Sequence, residues 1–278
     1  MKRRRARSYL LGFSAALVGT LLVGIQSVRS APILEYRFPD SWDGVATTVT
    51  DVSGAGNNGT LAGTPALSAN VPPGAPAGSQ SADTSSGGFR TDNTALLTND
   101  DIAAAGGFRF DTTFMWSGAN NAFSVHKIID YAGTEFLQLQ DIDTVNGIAT
   151  LRFGFNDDPA VGANLVTTIN ANQWYDVSGI FDTQGNSVAG DGSLAGQATL
   201  IVNGSTFVDN VSKSNFGDGL NRPIGIGTFS ASGSGIIELE GNIFSASVEL
   251  IPEPASAAMW LVAGVGTLVL RWRRGRIG

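Results

Sequence analysis

The stretch GGFRFDTTFMWS, residues 106–117, decides the fold that the sequence predicts. Aromatic and polar side chains alternate along it. The aromatic set comprises Phe108, Phe110, Phe114 and Trp116. The polar set comprises Arg109, Asp111 and Thr113. Successive side chains of a β-strand point to opposite faces of its sheet, so this pattern predicts a strand with one buried and one solvated face.

The same two-residue period recurs along most of the chain. It is found in ILEYRF (33–38), TEFLQLQ (134–140), ATLRFGF (149–155), QWYDVSGIFD (173–182) and QATLIVNG (197–204). Asn146-Gly147 and Asn203-Gly204 suit two-residue hairpin turns, because both residue types tolerate positive φ. The best helix candidate is the short stretch 99–105. The sequence therefore predicts an all-β fold of two stacked antiparallel sheets, with a long surface loop over 68–88.

Several stretches resemble the laminin-G-like, or concanavalin A-like, jelly-roll domains. They are DVSGAGNNGT (51–60), FMW (114–116), QWYDVSGIFD (173–182), ATLIVNG (198–204) and PIGIG (223–227), in the order of that family. The resemblance spans most of residues 33–250 and implies a two-sheet jelly-roll sandwich. One departure concerns the acidic pair that family members often carry before the last strand, because Gly241-Asn242-Ile243 is followed here by Phe244 and Ser245. A ligand or metal role of that pair is not expected.

The N-terminal 30 residues have the features of an export signal. Lys2 and four arginines precede an apolar run from Tyr9 to Ile25. This order predicts a signal peptide, residues 1–30, that the export machinery recognises and that signal peptidase cleaves between Ser30 and Ala31. An uncleaved N-terminal anchor is the alternative. Both place the middle of the chain outside the cytoplasm.

The C-terminal tail combines three features. Pro252-Glu253-Pro254 precedes sixteen uncharged residues, 255–270, and Arg271, Arg273 and Arg274 follow them. As a helix, the uncharged run would be about 24 Å long, slightly less than the roughly 30 Å hydrocarbon core of a bilayer. The arginines would stay on the cytoplasmic side, because segments rich in Lys and Arg are not translocated.

This order of parts resembles the PEP-CTERM sorting signal of Gram-negative and related bacteria. The resemblance covers residues 252–278. It implies export, recognition by a membrane protease of the exosortase type, removal of the tail, and delivery to the cell surface or an extracellular polysaccharide matrix. Before that cleavage, a transmembrane helix over 255–270 would anchor the precursor. The jelly-roll domain then comprises residues 31–251.

Residues 31–251 form a strongly acidic segment without cysteine. Seven basic residues stand against 23 acidic ones, which gives a net charge near −16. Proteins bind nucleic acid mainly through Lys and Arg side chains that neutralise phosphates, so a nucleic-acid partner is not expected. The lack of cysteine excludes disulfides, thiolate metal sites and cysteine nucleophiles.

Sugar binding requires an aromatic ring that stacks on the sugar and polar side chains that hydrogen-bond its hydroxyls. Trp42, in the PDSWDG loop, is the best candidate for an exposed ring. Trp116 and Trp174 lie in strands among apolar residues and are expected in the core. The alternative for Trp42 is a ring folded back on the sandwich, since burial of a large aromatic side chain contributes about 1.5–3 kcal/mol.

Calcium is the inorganic ligand that the loops favour, because hard cations take several oxygen ligands and the loops are dense in Asp and Asn. Asp51 with Asn57 or Asn58 is the first candidate site, and Asp157-Asp158 and 182–191 are weaker ones. The alternative is that Asp51 and Asn57 form Asx turns without any metal.

Catalysis has weaker support in the sequence. Glu238 and Glu240 have the spacing of two side chains on one strand face, and glycoside hydrolysis uses a pair of carboxylates. Asp141 and Asp143 have the same spacing. A third acidic residue in register is missing, so we expect solvated outer-face residues and no enzymatic activity. His126, the only histidine, lacks a Gly-x-Ser-x-Gly motif to accompany it and is expected half exposed on a strand.

The sequence thus favours an exported, non-enzymatic jelly-roll protein that binds glycans or another matrix component. A structural surface protein without a specific ligand is the second hypothesis, and a glycoside hydrolase is the third.

Overall fold

Strands make up most of the molecule. The computed structural model describes residues 31–92, 97–121, 124–131, 135–155, 164–214, 223–228 and 238–252. These residues belong to one unit, Ala31–Pro254. The signal segment 1–30 and the tail from residue 253 onward lie outside the described residues. Within the described ranges, no helix has the length and apolar character needed to cross a membrane.

The elements follow one another along the chain in an order dominated by strands. They are β1 (Leu34–Arg37), β2 (Thr48–Val49), β3 (Gly59–Gly63), β4 (Ala66–Ser68), β5 (Ser81–Asp83), β6 (Gly87–Thr91), α1 (Asn99–Ala105), β7 (Gly107–Trp116), β8 (His126–Tyr131), β9 (Glu135–Asp143), β10 (Ile148–Phe155), β11 (Asn164–Asn170), β12 (Trp174–Asp182), β13 (Leu194–Val202), β14 (Ser205–Ser214), β15 (Ile224–Ile226) and β16 (Gly241–Leu250).

Two antiparallel sheets of eight strands each form a jelly-roll sandwich. The first sheet has the order β14-β13-β12-β7-β16-β5-β4, and β1 also pairs with β16. The second sheet has the order β11-β10-β9-β8-β15-β6-β3-β2. The predicted all-β sandwich is therefore confirmed. The two helices expected to flank it, in 1–30 and 252–278, fall almost wholly on residues outside those described.

The core lies between the sheets, and β7 occupies the middle of the first one. Its aromatic face points inward, and the four predicted side chains have no exposed surface: Phe108, Phe110, Phe114 and Trp116. On the neighbouring strand β12, Tyr175, Val177 and Phe181 also join the core. The two-residue period therefore identified the buried face of β7 correctly, and the burial of β12 follows the same period.

The region 68–88 is more regular than predicted. It contains β5, whose residues Ala82 and Asp83 pair with Ile243 and Asn242 of β16. The three residues of β5 are too few to show a period-2 pattern in a segment rich in Pro, Gly, Ala and Ser. The predicted loop is therefore interrupted by a strand of the first sheet.

The two predicted hairpin turns differ in outcome. Asn203 and Gly204 have φ of 47° and 83°, as a primed two-residue turn requires. The prediction of a two-residue turn at Asn146-Gly147 is wrong in detail, because Ile148 pairs with Asp143. The loop between these two residues has four residues and ends in Gly147. The Asp143 carboxylate accepts hydrogen bonds from the next backbone N–H groups of that loop, so the side chain stabilises the longer turn.

Candidate functional site

Trp42, the predicted sugar-stacking residue, is buried. Its side chain is 4% exposed and packs edge-to-face on Phe89, with ring centroids 5.5 Å apart. Its Nε1 donates to the carbonyl oxygen of Ala46 at 2.7 Å. The prediction of an exposed ring is wrong, and the alternative of a ring folded back on the sandwich is confirmed, because the second sheet supplies Phe89 as an apolar partner. Trp42 therefore offers no free ring face for stacking.

Trp174 is the tryptophan that reaches the surface. It precedes the inward-facing Tyr175, so it shares the outer face of the first sheet with Asp176, and its side chain is half-buried. Trp116, by contrast, is fully buried, and its Nε1 donates to Ala119. Among the described residues, Trp174 Nε1 has no hydrogen-bond partner. The expectation that Trp174 belongs to the core is therefore wrong, whereas that for Trp116 is confirmed.

Four side chains form a line across the outer face of the first sheet. Trp174 pairs with Met115, Met115 with Asn242, and Asn242 with Asp83. We call these four residues the Trp174 row. Adjacent strands lie about 4.8 Å apart, so the three strand spacings place Asp83 about 14 Å from Trp174. The two central members of the row, Met115 and Asn242, are buried, and Trp174 at one end is half-buried.

Amide groups hold the centre of the row. The Asn242 side chain is 7% exposed, and its Nδ2 donates to Ser81 Oγ at 3.2 Å. Its Oδ1 accepts from Nδ2 of the exposed Asn70 at 3.3 Å. Asn70 Nδ2 also contacts Met115 Sδ at 3.4 Å. The exposed Asn70 therefore lies over the two buried central members of the row, Met115 and Asn242.

Two glutamates precede β16, and one of them, Glu240, interacts with Asp83 at the end of the row. Burial and the Glu240 charge raise the pKa of Glu238 to about 7. Burial and the Asp83 charge raise the pKa of Glu240. A buried Oε1 of Glu238 has no hydrogen-bond partner among the described residues. Glu238, Glu240 and Asp83 thus make this end of the sheet strongly acidic.

The segment that carries the two glutamates is fixed by its backbone. Asn121 Nδ2 donates to the Glu238 carbonyl oxygen, and Ser117 donates to that of Glu240. The Glu240 N–H donates to Nδ1 of His126 at 3.0 Å. His126 is fully buried, so its predicted half exposure is wrong. Burial lowers its pKa to about 4, which keeps the ring neutral and able to accept this bond.

The other predicted carboxylate pair does not form a joint site. Asp143 accepts from the backbone of its own turn, and the φ of Asp141 is 51°, which places that residue at an irregularity of β9. A positive φ interrupts the regular alternation of side chains along a strand. The absence of enzymatic activity stays a prediction.

The outer face of the second sheet carries a polar cluster that the sequence analysis missed. Lys127 Nζ lies 2.9 Å from Asp130 Oδ1 and 4.0 Å from the ring centroid of Phe136. The guanidinium of Arg152 lies 4.9 Å from the same centroid. We call these four residues the Phe136 cluster. Its signal was present in TEFLQLQ and ATLRFGF, where Phe136 and Arg152 alternate with inward-facing leucine and phenylalanine.

The predicted calcium ligand Asp51 has a structural role. Its carboxylate accepts from the N–H groups of Glu35, Ser53 and Asn57 and from Ser53 Oγ. Burial opposes ionisation, but these hydrogen bonds together lower the pKa of Asp51. Asn58 Oδ1 accepts from the Asp51 N–H. The Asx-turn alternative therefore describes the geometry.

The Asp51 loop, residues 51–58, covers the free edge of β1. Asp51 accepts from the Glu35 N–H, and the Val52 N–H donates to the Glu35 carbonyl oxygen at 3.0 Å. Asn57 Nδ2 donates to the Ile33 carbonyl oxygen at 2.6 Å. Backbone groups on this edge have no strand partner, so the loop supplies the hydrogen bonds that a neighbouring strand would otherwise make.

Calcium binding stays a prediction. Across the described ranges, no group of three or more His, Cys, Asp or Glu side chains is arranged to hold a metal ion. Asp182 and Asp191 accept from nearby backbone N–H groups of their own turns. Asp157 and Asp158 lie outside the described residues.

Of the predicted processing residues, two are described. Ala31 is exposed at the start of the described chain, and Pro252 is half-buried just after β16. The remaining ones lie outside the described residues: Ser30, Glu253, Pro254, Arg271, Arg273 and Arg274.

No protein-family model matches the chain, and no curated protein matches it. Among solved structures, domain 4 of AbnA, a GH43 extracellular arabinanase from Geobacillus stearothermophilus in complex with arabinotriose, is similar with a TM-score of 0.53 and 12% identity. The match covers 82% of this chain and 96% of that domain. The two share a fold.

Two further solved structures are less similar. A protein of unknown function from Shewanella oneidensis has a TM-score of 0.44 and 12% identity, over 83% of this chain and 92% of that one. The CBM40 of the Ruminococcus gnavus IT-sialidase, bound to sialyllactose, has a TM-score of 0.38 and 12% identity, over 56% of this chain and 82% of that one.

Proposed function

We propose that this protein is an exported, non-enzymatic, surface-destined β-sandwich that binds glycans on the outer face of its first sheet. The Trp174 row carries this proposal. Trp174 combines a partly exposed ring with an Nε1 that has no partner among the described residues. An indole N–H and ring face next to amide and carboxylate groups is the combination that stacks on a sugar and hydrogen-bonds its hydroxyls.

The comparison with the arabinanase domain supports the proposal at the level of the fold. That domain was solved with arabinotriose, and its fold is similar to that of this chain. Specificity lies in individual side chains and loops and not in the fold, so the sugar that this chain binds need not be arabinan.

A second hypothesis is a structural surface protein without a specific ligand. The Phe136 cluster gives no support for a ligand, because its ion pair and its contacts with the Phe136 ring are made within the protein. The effect of a Trp174 substitution on glycan binding distinguishes the two hypotheses, since a purely structural protein should bind no glycan. A glycoside hydrolase is the third hypothesis, and Glu238 with Glu240 are the residues it would use.

A glycan array with the full chain, purified in detergent, tests the proposal. Trp174→Ala should weaken binding to the best glycan about tenfold or more, because the stacking surface is lost. Ile180→Ala is the matched control, since Ile180 lies on the same strand and the same face but six residues away. Equal binding by both variants, or no glycan bound at all, would refute the proposal.

Hydrolysis is tested on the same glycans. If the protein released reducing sugar and Glu238→Gln or Glu240→Gln abolished the release, the third hypothesis would replace the first.

The export proposal rests on the two termini and has its own test. In a bacterium that has an exosortase, a C-terminal epitope tag should be lost from the mature protein, which should then reach the cell surface. Pro252→Ala combined with Glu253→Ala should retain the tag. A full-length, tagged wild-type protein in the cytosol would contradict both the export signal and the sorting tail.

A further inference from the structure

We propose that Asn146 is a site of spontaneous deamidation, in which its side-chain amide is lost and an aspartate or isoaspartate forms. The inference is independent of the proposed glycan binding. The chain contains three Asn-Gly pairs, which begin at Asn58, Asn146 and Asn203. Asparagine is a chemically labile residue, and a following glycine favours its loss of ammonia because no side chain hinders the glycine nitrogen. The sequence presents three equivalent sites, and the structure distinguishes them.

The reaction needs only the chain itself and water. The backbone nitrogen of Gly147 forms a bond with Cγ of Asn146, which closes a succinimide ring, and the Cγ–Nδ2 bond breaks. The hydrogen of the Gly147 N–H leaves with the amide nitrogen as ammonia. A water molecule then opens the ring at either of its carbonyl carbons and gives aspartate or isoaspartate. Because Cγ must approach the next backbone nitrogen, contacts that hold the side chain or the backbone in place slow the reaction.

The Asn58 pair is held in the second sheet. Asn58 Oδ1 accepts from the Asp51 N–H at 2.9 Å, and the Asn58 carbonyl oxygen accepts from the Asp92 N–H at 2.9 Å. Gly59 is buried and begins β3, which pairs with β2 on one side and β6 on the other. Attack by the Gly59 nitrogen requires this backbone to leave the sheet, and segments inside a sheet open only at a high free energy. The fold therefore protects Asn58.

The Asn203 pair is held against a neighbouring strand. Asn203 Oδ1 accepts from the Asp176 N–H at 2.9 Å, and the Asn203 N–H donates to the Asp176 carbonyl oxygen at 2.9 Å. Asn203 and Gly204 alone connect Val202 and Ser205, which pair with each other. Movement of Cγ towards the Gly204 nitrogen therefore breaks bonds to β12 and distorts a tight turn.

The Asn146 pair is anchored only within its own hairpin. Residues 144–146 are exposed in the loop between β9 and β10. Asn146 donates from its backbone N–H at 3.0 Å and from Nδ2 at 2.6 Å, and both bonds end on the carboxylate of Asp143. That carboxylate moves with the loop, so these bonds do not tie Asn146 to another element. They hold Nδ2, the atom that leaves, whereas Asn58 and Asn203 are held by Oδ1.

The difference in anchoring sets the expected order of rates. The Ala171 N–H donates to the Gly147 carbonyl oxygen at 2.8 Å, but that oxygen belongs to the peptide group after the one that attacks. Reaction at Asn203 breaks bonds to another strand, whereas reaction at Asn146 does not. A difference of about one hydrogen bond, about 1.4 kcal/mol, corresponds to about tenfold in rate. Asn58 should react most slowly, because its glycine lies inside a sheet.

Peptide mapping of the full chain in detergent tests this order. Folded protein and protein unfolded in urea are incubated at mildly alkaline pH, digested at low pH, and analysed by mass spectrometry, which detects the exchange of an amide for a carboxyl group. In urea the three sites should react at similar rates, because each asparagine is followed by glycine. In the folded protein, Asn146 should react about tenfold faster than Asn203 or more.

Two matched variants locate the reaction. Ion-exchange chromatography of the incubated, folded wild type should show a growing species with one more negative charge. Asn146→Gln should nearly abolish this species, because the longer side chain closes the corresponding ring much more slowly. Asn203→Gln, the control, should leave its rate of formation unchanged.

The outcomes decide the inference without reference to any glycan. Equal rates at Asn146 and Asn203 in the folded protein, or an acidic species that forms equally fast in Asn146→Gln, overturns the proposal. A folded protein in which none of the three sites reacts, while all three react in urea, also overturns it. Failure of the proposed glycan binding would leave the deamidation result as it is.

Discussion

The outer faces of the two sheets carry polar and aromatic side chains of similar kinds. The two faces differ in whether these side chains have partners within the protein. In the Phe136 cluster, Lys127 and Asp130 are almost wholly buried and pair with each other, and two cations contact one ring. In the Trp174 row, the indole N–H has no protein partner among the described residues and the adjacent carboxylates repel one another. The side chains of the Phe136 cluster contact one another, whereas the half-buried Trp174 presents an indole N–H at the surface of the first sheet.

The difference shows that residue type alone does not identify a binding site on a sheet. A charged or aromatic side chain on an outer face stabilises the fold when its partners are within the protein. The same side chain can bind a ligand when they are not. Substitutions in the two regions should therefore affect different quantities, stability in one and ligand affinity or pH dependence in the other.

The largest effect is expected at the ion pair of the Phe136 cluster. Lys127→Met leaves the Asp130 carboxylate buried without its cation, and this should lower the free energy of unfolding by about 3–5 kcal/mol. Chemical denaturation measures the change. The exposed pair of Arg37 and Glu35 provides the control, because Arg37→Met should cost less than about 1 kcal/mol. Similar losses in both variants would contradict the distinction between the two pairs.

A smaller loss is expected at the Asp51 loop. Asp51→Ala leaves buried backbone N–H groups without an acceptor, each at a cost of about 1–3 kcal/mol, so a total loss of about 2–4 kcal/mol is reasonable after relaxation. Thermal unfolding with calcium and with a chelator measures it and also tests the calcium prediction. If calcium raised the melting temperature of the wild type but not of the variant, the loop would be a metal site after all.

Gly154 of β10, which lies against the Phe136 ring, should be sensitive to a single methyl group. A Cβ at Gly154 would lie 2.6 Å from the Phe136 ring, so Gly154→Ala should destabilise the protein by about 1–3 kcal/mol through overpacking. Gly190→Ala, at a position where a Cβ meets no atom within 4 Å, is the control and should be close to neutral. Urea denaturation of the two variants compares them, and an unchanged Gly154→Ala protein would mean that the ring is free to move.

The smallest effect is a pH dependence beside the Trp174 row. The pKa of Glu238 is raised from 4.5 to about 7, so its protonated form is favoured in the folded protein. The stability that this group contributes is complete below 4.5 and is lost as the pH rises through about 7. Glu238→Gln should therefore be more stable than the wild type above pH 7 and should show less dependence on pH in this range.

Unfolding midpoints measured across this pH range check the Glu238 prediction. Asp209→Asn should follow the wild-type curve, because Asp209 is exposed on β14. A second titration with the opposite sign is expected from His126. Its pKa is lowered to about 4, so its contribution is present above 6.5 and is lost as the pH falls through about 4. Parallel curves for Glu238→Gln and the wild type would contradict the raised pKa.

The sequence predicted what depends on local pattern. The alternation in residues 106–117 identified β7 and its buried face, and QWYDVSGIFD identified β12. The Asx turn at Asp51 was also among the predicted alternatives, because Asp and Asn form such turns with their own neighbours in the chain. In each case the determining contacts lie within a few residues.

The sequence failed where a partner comes from a distant strand. Trp42 is buried because Phe89 of the second sheet packs on it, and nothing in PDSWDG indicates that contact. His126 is buried because the residues before β16 lie over it. Trp174 was expected in the core because its neighbours are apolar, but the alternation that buries Tyr175 places Trp174 outside. That last error was avoidable from periodicity alone.

The loop over the edge of β1 also affects how copies of this protein behave when they are crowded together. An uncovered edge strand is a template on which the strand of another molecule can add, and such addition leads to aggregation. Because the N–H and carbonyl groups of Glu35 are already bonded to the loop, this edge cannot recruit a neighbour's backbone. Many copies could therefore accumulate side by side without joining into fibres through their first strand.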